Sequence, residues 1–132
     1  MAKLSHAIAK AVKECNRNIP VVMGGPHASV VPKDVLEDQN IDYVVLGEGE
    51  NTFLKLVESI ESNSSPDTLK GIAYRKNGEV VFTEQAPLEE NLDAIPMPAR
   101  HLLPMHLYRS SDVRAKRHPA LHMMSSRGCP YN

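Results

Sequence analysis

Ile19-Pro20-Val21-Val22-Met23 runs straight into Gly24-Gly25-Pro26-His27, and the arrangement returns where Asp42-Tyr43-Val44-Val45-Leu46 runs into Gly47-Glu48-Gly49-Glu50. An apolar, β-branched run without polar alternation suits a strand buried on both faces, as in a parallel sheet. Helical patterning borders each run. Upstream, residues 3–16 place Leu4, Ile8, Ala11, Val12 and Cys15 at helical spacing, with Lys10, Lys13 and Glu14 turned outward. Between the runs, Pro32 suits the first residue of a short helix from Lys33 to Gln39, with Asp34 in its first turn. After the second run, residues 51–62 read as a longer helix with Phe53, Leu54, Val57 and Ile60 on its inner side. The alternation predicts an α/β fold, a parallel sheet with flanking helices.

The rest of the chain is less regular. Asn63-Ser64-Ser65-Pro66-Asp67 is a loop by composition. Gly71–Arg75 and Glu79–Thr83 flank Lys76-Asn77-Gly78, and the Asn-Gly step predicts a β-hairpin. Pro87, Pro96, Pro98 and Pro104 mark an extended, proline-rich linker, taken as residues 86–119, whose last part is polar and basic. Residues 120–125 have the look of a strand that opens a further unit.

Composition narrows the function classes. With 132 residues, 42% of them hydrophobic, one small domain is expected, over residues 1–85. A net charge of −1 gives no electrostatic case for nucleic acid or for an anionic membrane. Aromatics are only 5% and tryptophan is missing, so platforms for stacking bases are not expected. No apolar run approaches the length needed to cross a bilayer. Cys15 and Cys129 lie far apart and suggest no disulfide framework, which fits a reducing, cytoplasmic location.

Ligands of an open α/β sheet bind beyond the carboxyl ends of its strands. Both glycine loops fall there, so Gly24, Gly25, Pro26, His27, Gly47, Glu48, Gly49 and Glu50 are the candidate binding residues. Glycine lets a ring or a phosphate approach the backbone and accepts positive φ at a turn. Neither loop matches a phosphate-gripping pattern, and the two glutamates of the second argue against an anion. Carboxylates suit ribose hydroxyls, amides or basic side chains. The plainer reading also stands on the residues: both loops are tight strand-to-helix turns, and Glu48 and Glu50 stabilise a helix N-terminus. His118 and His122 are four apart, but Pro119 between them breaks the helical pairing that a metal site would need.

Five segments in fixed order resemble the cobalamin-dependent radical S-adenosylmethionine (SAM) enzymes, among them the anaerobic magnesium-protoporphyrin monomethyl ester cyclases and related methyltransferases. They are Val21-Val22-Met23-Gly24-Gly25-Pro26-His27-Ala28-Ser29, Asp42–Glu50, Gly71–Arg75, Leu92-Asp93-Ala94-Ile95-Pro96-Met97-Pro98-Ala99-Arg100 and Ser126-Arg127-Gly128-Cys129-Pro130-Tyr131-Asn132. The resemblance implies a Rossmann-like (flavodoxin-like) cobalamin module, present in part. Its Gly-Gly step falls on Gly24 and Gly25, where the nucleotide tail of cobalamin would pass. The family's Asp-x-His-x-x-Gly loop and Ser-x-Leu segment have no match, which implies that the first strands of the module are missing. His27 follows the Gly-Gly step and is no substitute for the loop histidine. The lower cobalt ligand varies in the family, so cobalamin remains implied.

The last segment resembles the start of the loop Cys-x-x-x-Cys-x-x-Cys that holds a 4Fe-4S cluster, with Cys129 as its first thiolate. Three thiolates hold three irons, and the fourth iron chelates S-adenosylmethionine. The resemblance therefore implies a non-catalytic piece of a longer enzyme, with residues 120–132 opening its radical SAM barrel. That enzyme would be a methyltransferase or an oxidative cyclase. By the residues alone, a self-contained small α/β domain for ligand binding or protein interaction stands beside it, with Cys129 an ordinary free thiol in a turn.

Overall fold

The computed structural model describes residues 2–108, 121 and 126–128. The strand-like segment 120–125, the basic stretch 109–119 and Cys129 fall wholly or mostly outside the described residues. The chain divides into two compact units, residues 1–89 and 90–132.

In the first unit, helix α1 (Ala2–Cys15) leads to strand β1 (Val22–Met23), and two short helices follow, α2 (Pro26–Val30) and α3 (Pro32–Glu37). Strand β2 (Tyr43–Val45), helix α4 (Glu50–Glu61) and the hairpin β3 (Ile72–Lys76) and β4 (Glu79–Phe82) complete it. The sheet order is β1-β2-β3-β4. β1 and β2 are parallel, with Val22 opposite Tyr43 and Met23 opposite Val44. The hairpin extends the same sheet antiparallel to β2, with Val44 opposite Ala73, so the sheet is mixed and not purely parallel. Asn77 and Gly78 both take positive φ, at 55° and 86°, the pair that a two-residue hairpin turn needs.

Alternation along the strands divides the core between the two faces. Val44 and Ala73 pack with Ala9, Ala28, Val35 and Leu36, which come from α1, α2 and α3. Val45, Ile72 and Tyr74 pack with Leu56 of α4 on the other face. Leu36, Ile41, Leu56 and Ile72 are fully buried; each contributes about 1.5–3 kcal/mol relative to an exposed side chain.

Two helices turn differently from the sequence expectation. On α4 the inner residues are Thr52, Leu56 and Ser59, while Phe53 and Leu54 are exposed and Val57 and Ile60 only half-buried. Thr52 and Ser59 tolerate burial because their hydroxyls donate to the carbonyls of Lys70 and Ser64. On α1 the buried residue is Ala9, and the stripe Leu4, Ile8, Ala11 and Cys15 faces outward. Polar ties set that rotation. His6 Nδ1 meets Asp38 Oδ2 at 2.7 Å, and Lys13 Nζ meets Asp42 Oδ2 at 2.6 Å. Burial pushes the Asp38 carboxyl up, but hydrogen bonds from the Asn40 amide, His6 and the Asn40 side chain outweigh it and hold it below the usual range.

Arg75 on β3 closes the α3–β2 connection. Its guanidinium donates to the carbonyls of Leu36 and Ile41, the latter at 2.6 Å, and more distantly to that of Asp38.

Tyr74, Asp67 and Lys76 make a further cluster. The Asp67 carboxylate accepts from Lys76 Nζ at 2.6 Å, from the Tyr74 hydroxyl, and from Ser65 Oγ at 2.9 Å. The Lys76 bond first, then those of Tyr74 and Ser65, hold the Asp67 carboxyl at about 2 against an ordinary 3.8. Burial first, and then the bond to Asp67, push the Tyr74 hydroxyl from 10.0 up to about 12. The fold therefore favours the charged carboxylate and the neutral phenol. The carboxylate's share of stability is present above pH 3.8 and is lost as pH falls towards 2. The phenol's share is present below pH 10.0 and is lost as pH rises to 12. Tyr74→Phe is expected to flatten the alkaline loss in thermal melts across that range. Tyr43, also raised by burial and by the charge of Asp42, keeps part of the slope. An alkaline limb as steep as that of the unaltered chain would refute the assignment.

The second unit, as far as it is described, holds three single 3-10 turns, Leu92–Ala94, Arg100–Leu102 and Met105–Leu107, joined by irregular chain. Asn91 caps the first, its side chain accepting from the Asp93 amide at 3.2 Å. Among the described residues no helix is long and apolar enough to cross a membrane.

Candidate functional site

The parallel pairing of β1 and β2 sets their carboxyl ends side by side, so the loops that leave them are neighbours. Gly24-Gly25 turns β1 into α2, with Gly25 at the N-cap (φ 87°, ψ −178°) and Pro26 at the first helical position. A proline costs nothing there, because its missing N–H would have had no helical partner. Gly47–Gly49 turns β2 into α4, with Gly49 at the N-cap and Glu50 in the first turn.

The glycines do two different things. A Cβ on Gly24 would sit 3.7 Å from the Val45 carbonyl oxygen, and one on Gly49 would sit 3.4 Å from Val45 Cγ1. Val45, the last residue of β2, is thus the post against which both loops lie. Gly25 and Gly47 differ, with φ of 87° and 68° and no atom of the described residues within 4 Å of where a Cβ would stand. Both face open space with bare backbone. That is a surface a large, flat or extended ligand can approach closely.

Ser29 joins the two loops and was not singled out by the sequence. Its amide donates to the Gly25 carbonyl at 3.0 Å, as a helical bond of α2. Its hydroxyl accepts from the Gly47 amide at 3.0 Å. No local signal marks it, since the amide that it accepts from lies 18 residues on, in the loop after the next strand.

The remaining candidates are placed as follows. Gly24, Gly25, Pro26 and His27 are exposed, as are Gly47 and Glu50, while Glu48 and Gly49 are half-buried. The Glu48 carboxylate accepts from the Glu89 amide at 3.0 Å. Both loops therefore come together, and Cys129 lies outside the described residues. Among the described residues no group of three or more histidine, cysteine, aspartate or glutamate side chains could hold a metal ion.

Paired glycine loops at the carboxyl ends of adjoining parallel strands stand where the ligands of open α/β sheets bind. Residues 1–57 match the family described as the B12 binding domain. An uncharacterized methyltransferase of Pyrococcus horikoshii is 40% identical over 129 residues, covering 97% of this chain and 27% of that protein. The anaerobic magnesium-protoporphyrin IX monomethyl ester cyclase of a Synechocystis species is 31% identical over 115 residues, covering 86% and 22%. The cobalamin-dependent radical SAM methyltransferase TokK of Streptomyces tokunonensis is 32% identical over 127 residues, covering 95% and 18%. Over residues 1–57 the chain is B12-binding-domain sequence, and nearly its whole length is similar to proteins named as a cobalamin-dependent radical SAM methyltransferase and an anaerobic cyclase. It spans only 18% to 27% of the length of these three relatives.

Proposed function

We propose that the two glycine loops form one wall of a cobalamin site in a longer radical SAM enzyme, and that this chain is a non-catalytic piece of it. The observation that carries the reading is the open backbone at Gly25 and Gly47, both at positive φ, where a side chain would stand between the loops and a ligand. Gly24, Pro26, His27 and Gly49 shape the wall, and Glu48 and Glu50 bring carboxylates to its second loop, suited to the amide arms of a corrin. When bound, cobalamin supplies the cobalt centre for methyl transfer or an allied oxidation. Residues 1–85 act as the later part of the cobalamin module, 86–119 as the linker, and 120–132 as the opening of the barrel. There Cys129 is the first of three thiolates for a 4Fe-4S cluster that chelates S-adenosylmethionine. Among the described residues β1 has a strand partner on one side, and this edge with the outward apolar stripe of Leu4 and Ile8 would suit a further strand of the same module. The small share of each relative that the chain covers supports the same reading.

The test is a cobalamin titration followed by visible absorbance. This chain alone is expected to bind more weakly than micromolar, since a large ligand needs many simultaneous contacts to offset its ordering. The longer protein, encoded by the reading frame on both sides, is expected to bind, with Gly25→Val weakening it by about tenfold or more through strain and lost access. Equal affinity in Gly25→Val would overturn the placement. A reading frame that does not continue with Cys-x-x-Cys after Asn132 would overturn the enzyme.

A further inference from the structure

Glu48 and Asn51 stand on either side of the α4 N-cap, and both reach the same residue. After β4 the chain turns back along the start of β3, where the Gly71 amide donates to the Glu84 carbonyl at 2.7 Å. Ala86 then lies against Gly71, close enough that a Cβ there would meet it at 2.8 Å. Three residues further on, the Glu89 amide donates to Glu48 Oε2 at 3.0 Å. The Glu89 side chain accepts from Asn51 Nδ2, also at 3.0 Å. One bond holds the backbone of Glu89 and the other its carboxylate, and they run in opposite senses. A charged acceptor on a backbone amide is among the stronger hydrogen bonds, and a second bond to the same residue fixes its orientation.

We propose that Glu48 and Asn51 are positioning residues: together they latch Glu89, and with it the strap 84–89, onto the second glycine loop. Loop 47–50 and the strap then move as one. A ligand that reshapes the loop displaces the point from which the chain leaves the first unit, and a pull on the strap reshapes the loop. Glu48 thereby holds the wall through Oε2, beside bringing its carboxylate to the loop. The latch stands on the contacts alone, whichever ligand the loops take.

Amide hydrogen exchange of the chain, read residue by residue by NMR, tests it. Glu48→Ala is expected to speed exchange at Glu89 about tenfold, as loss of one charge-assisted bond would, while Val44 and Val45 stay as protected as before. Glu48→Gln keeps an acceptor oxygen in place without the charge and is expected to restore Glu89 to within about threefold, since a neutral acceptor keeps roughly half the strength of a charge-assisted bond. Asn51→Ala, which leaves both glycines and Glu48 intact, is expected to speed Glu89 and to shift the Gly47 and Gly49 resonances. An unchanged Glu89 rate in Glu48→Ala overturns the latch. So does acceleration of Val44 and Val45 in step with it, since the substitution would then be loosening the whole sheet. Failure of glutamine to rescue, or glycine resonances unmoved in Asn51→Ala, would also overturn it.

Discussion

Gly71→Ala is expected to cost the first unit about 2–5 kcal/mol, a large part of what a small domain has. Two costs add. Gly71 sits at φ 77°, where an L side chain loses about 1–2 kcal/mol. Its new Cβ would also meet Ala86 Cβ at 2.8 Å and Thr52 Oγ1 at 3.2 Å, an overpacking worth about 1–3 kcal/mol. Little around it can give way: the Gly71 amide and carbonyl are both engaged, to Glu84 and Leu46. Urea unfolding would show a lower midpoint. Adding Ala86→Gly should recover the larger part of the overpacking, that against Ala86 Cβ, and leave the Thr52 contact and the φ cost. A midpoint unchanged in Gly71→Ala would mean that the strap does not pack on Gly71.

Arg75→Met should cost about 2–4 kcal/mol, although methionine fills much of the volume of the arginine stem. The loss comes from the carbonyls of Leu36 and Ile41, which lie at buried residues and accept the guanidinium. Left without that donor, they keep the cost of being out of water. Arg75→Lys should recover less than half, because one ammonium cannot reproduce the planar fork that reaches both oxygens. Thermal denaturation ranks the three chains. Arg75→Lys as stable as the unaltered chain would show that charge, and not the fork, closes the α3–β2 connection.

The parts legible in the sequence were those with a strong local cause. The runs 19–23 and 42–46 were recognised as strands because nothing polar interrupts them, although the hydrogen-bonded cores shrink to Val22–Met23 and Tyr43–Val45. Asn77-Gly78 named the hairpin because few other pairs accept two successive positive φ angles. Helix α2 has no counterpart in the sequence reading, which places Pro26 and His27 in the glycine loop: at five residues it is too short to show a period, and it starts directly from a glycine turn. The inward faces of α1 and α4 were misjudged for one reason. Apolar spacing finds a stripe but not the polar bonds that decide rotation. Thr52 and Ser59 go inward because carbonyls await their hydroxyls, and the pairs His6–Asp38 and Lys13–Asp42 turn Ala9 in and Leu4 out.

The site shows the same division. Both glycine loops were legible from their place after apolar runs. Ser29 and the bond between Glu48 and Glu89 were not, since each joins residues far apart in sequence, 18 and 41 positions. No local pattern encodes such a pair.

The order β1-β2-β3-β4 along the sheet is also the order along the chain. Each strand after β1 therefore meets an edge that has already been synthesised, and none of these four has to be inserted between two others. Contacts of short sequence separation form fast, and chains synthesised from the amino end fold in that direction. Assembly of this sheet can proceed in step with translation, one edge at a time, and the hairpin that closes it is the last strand pair to be made.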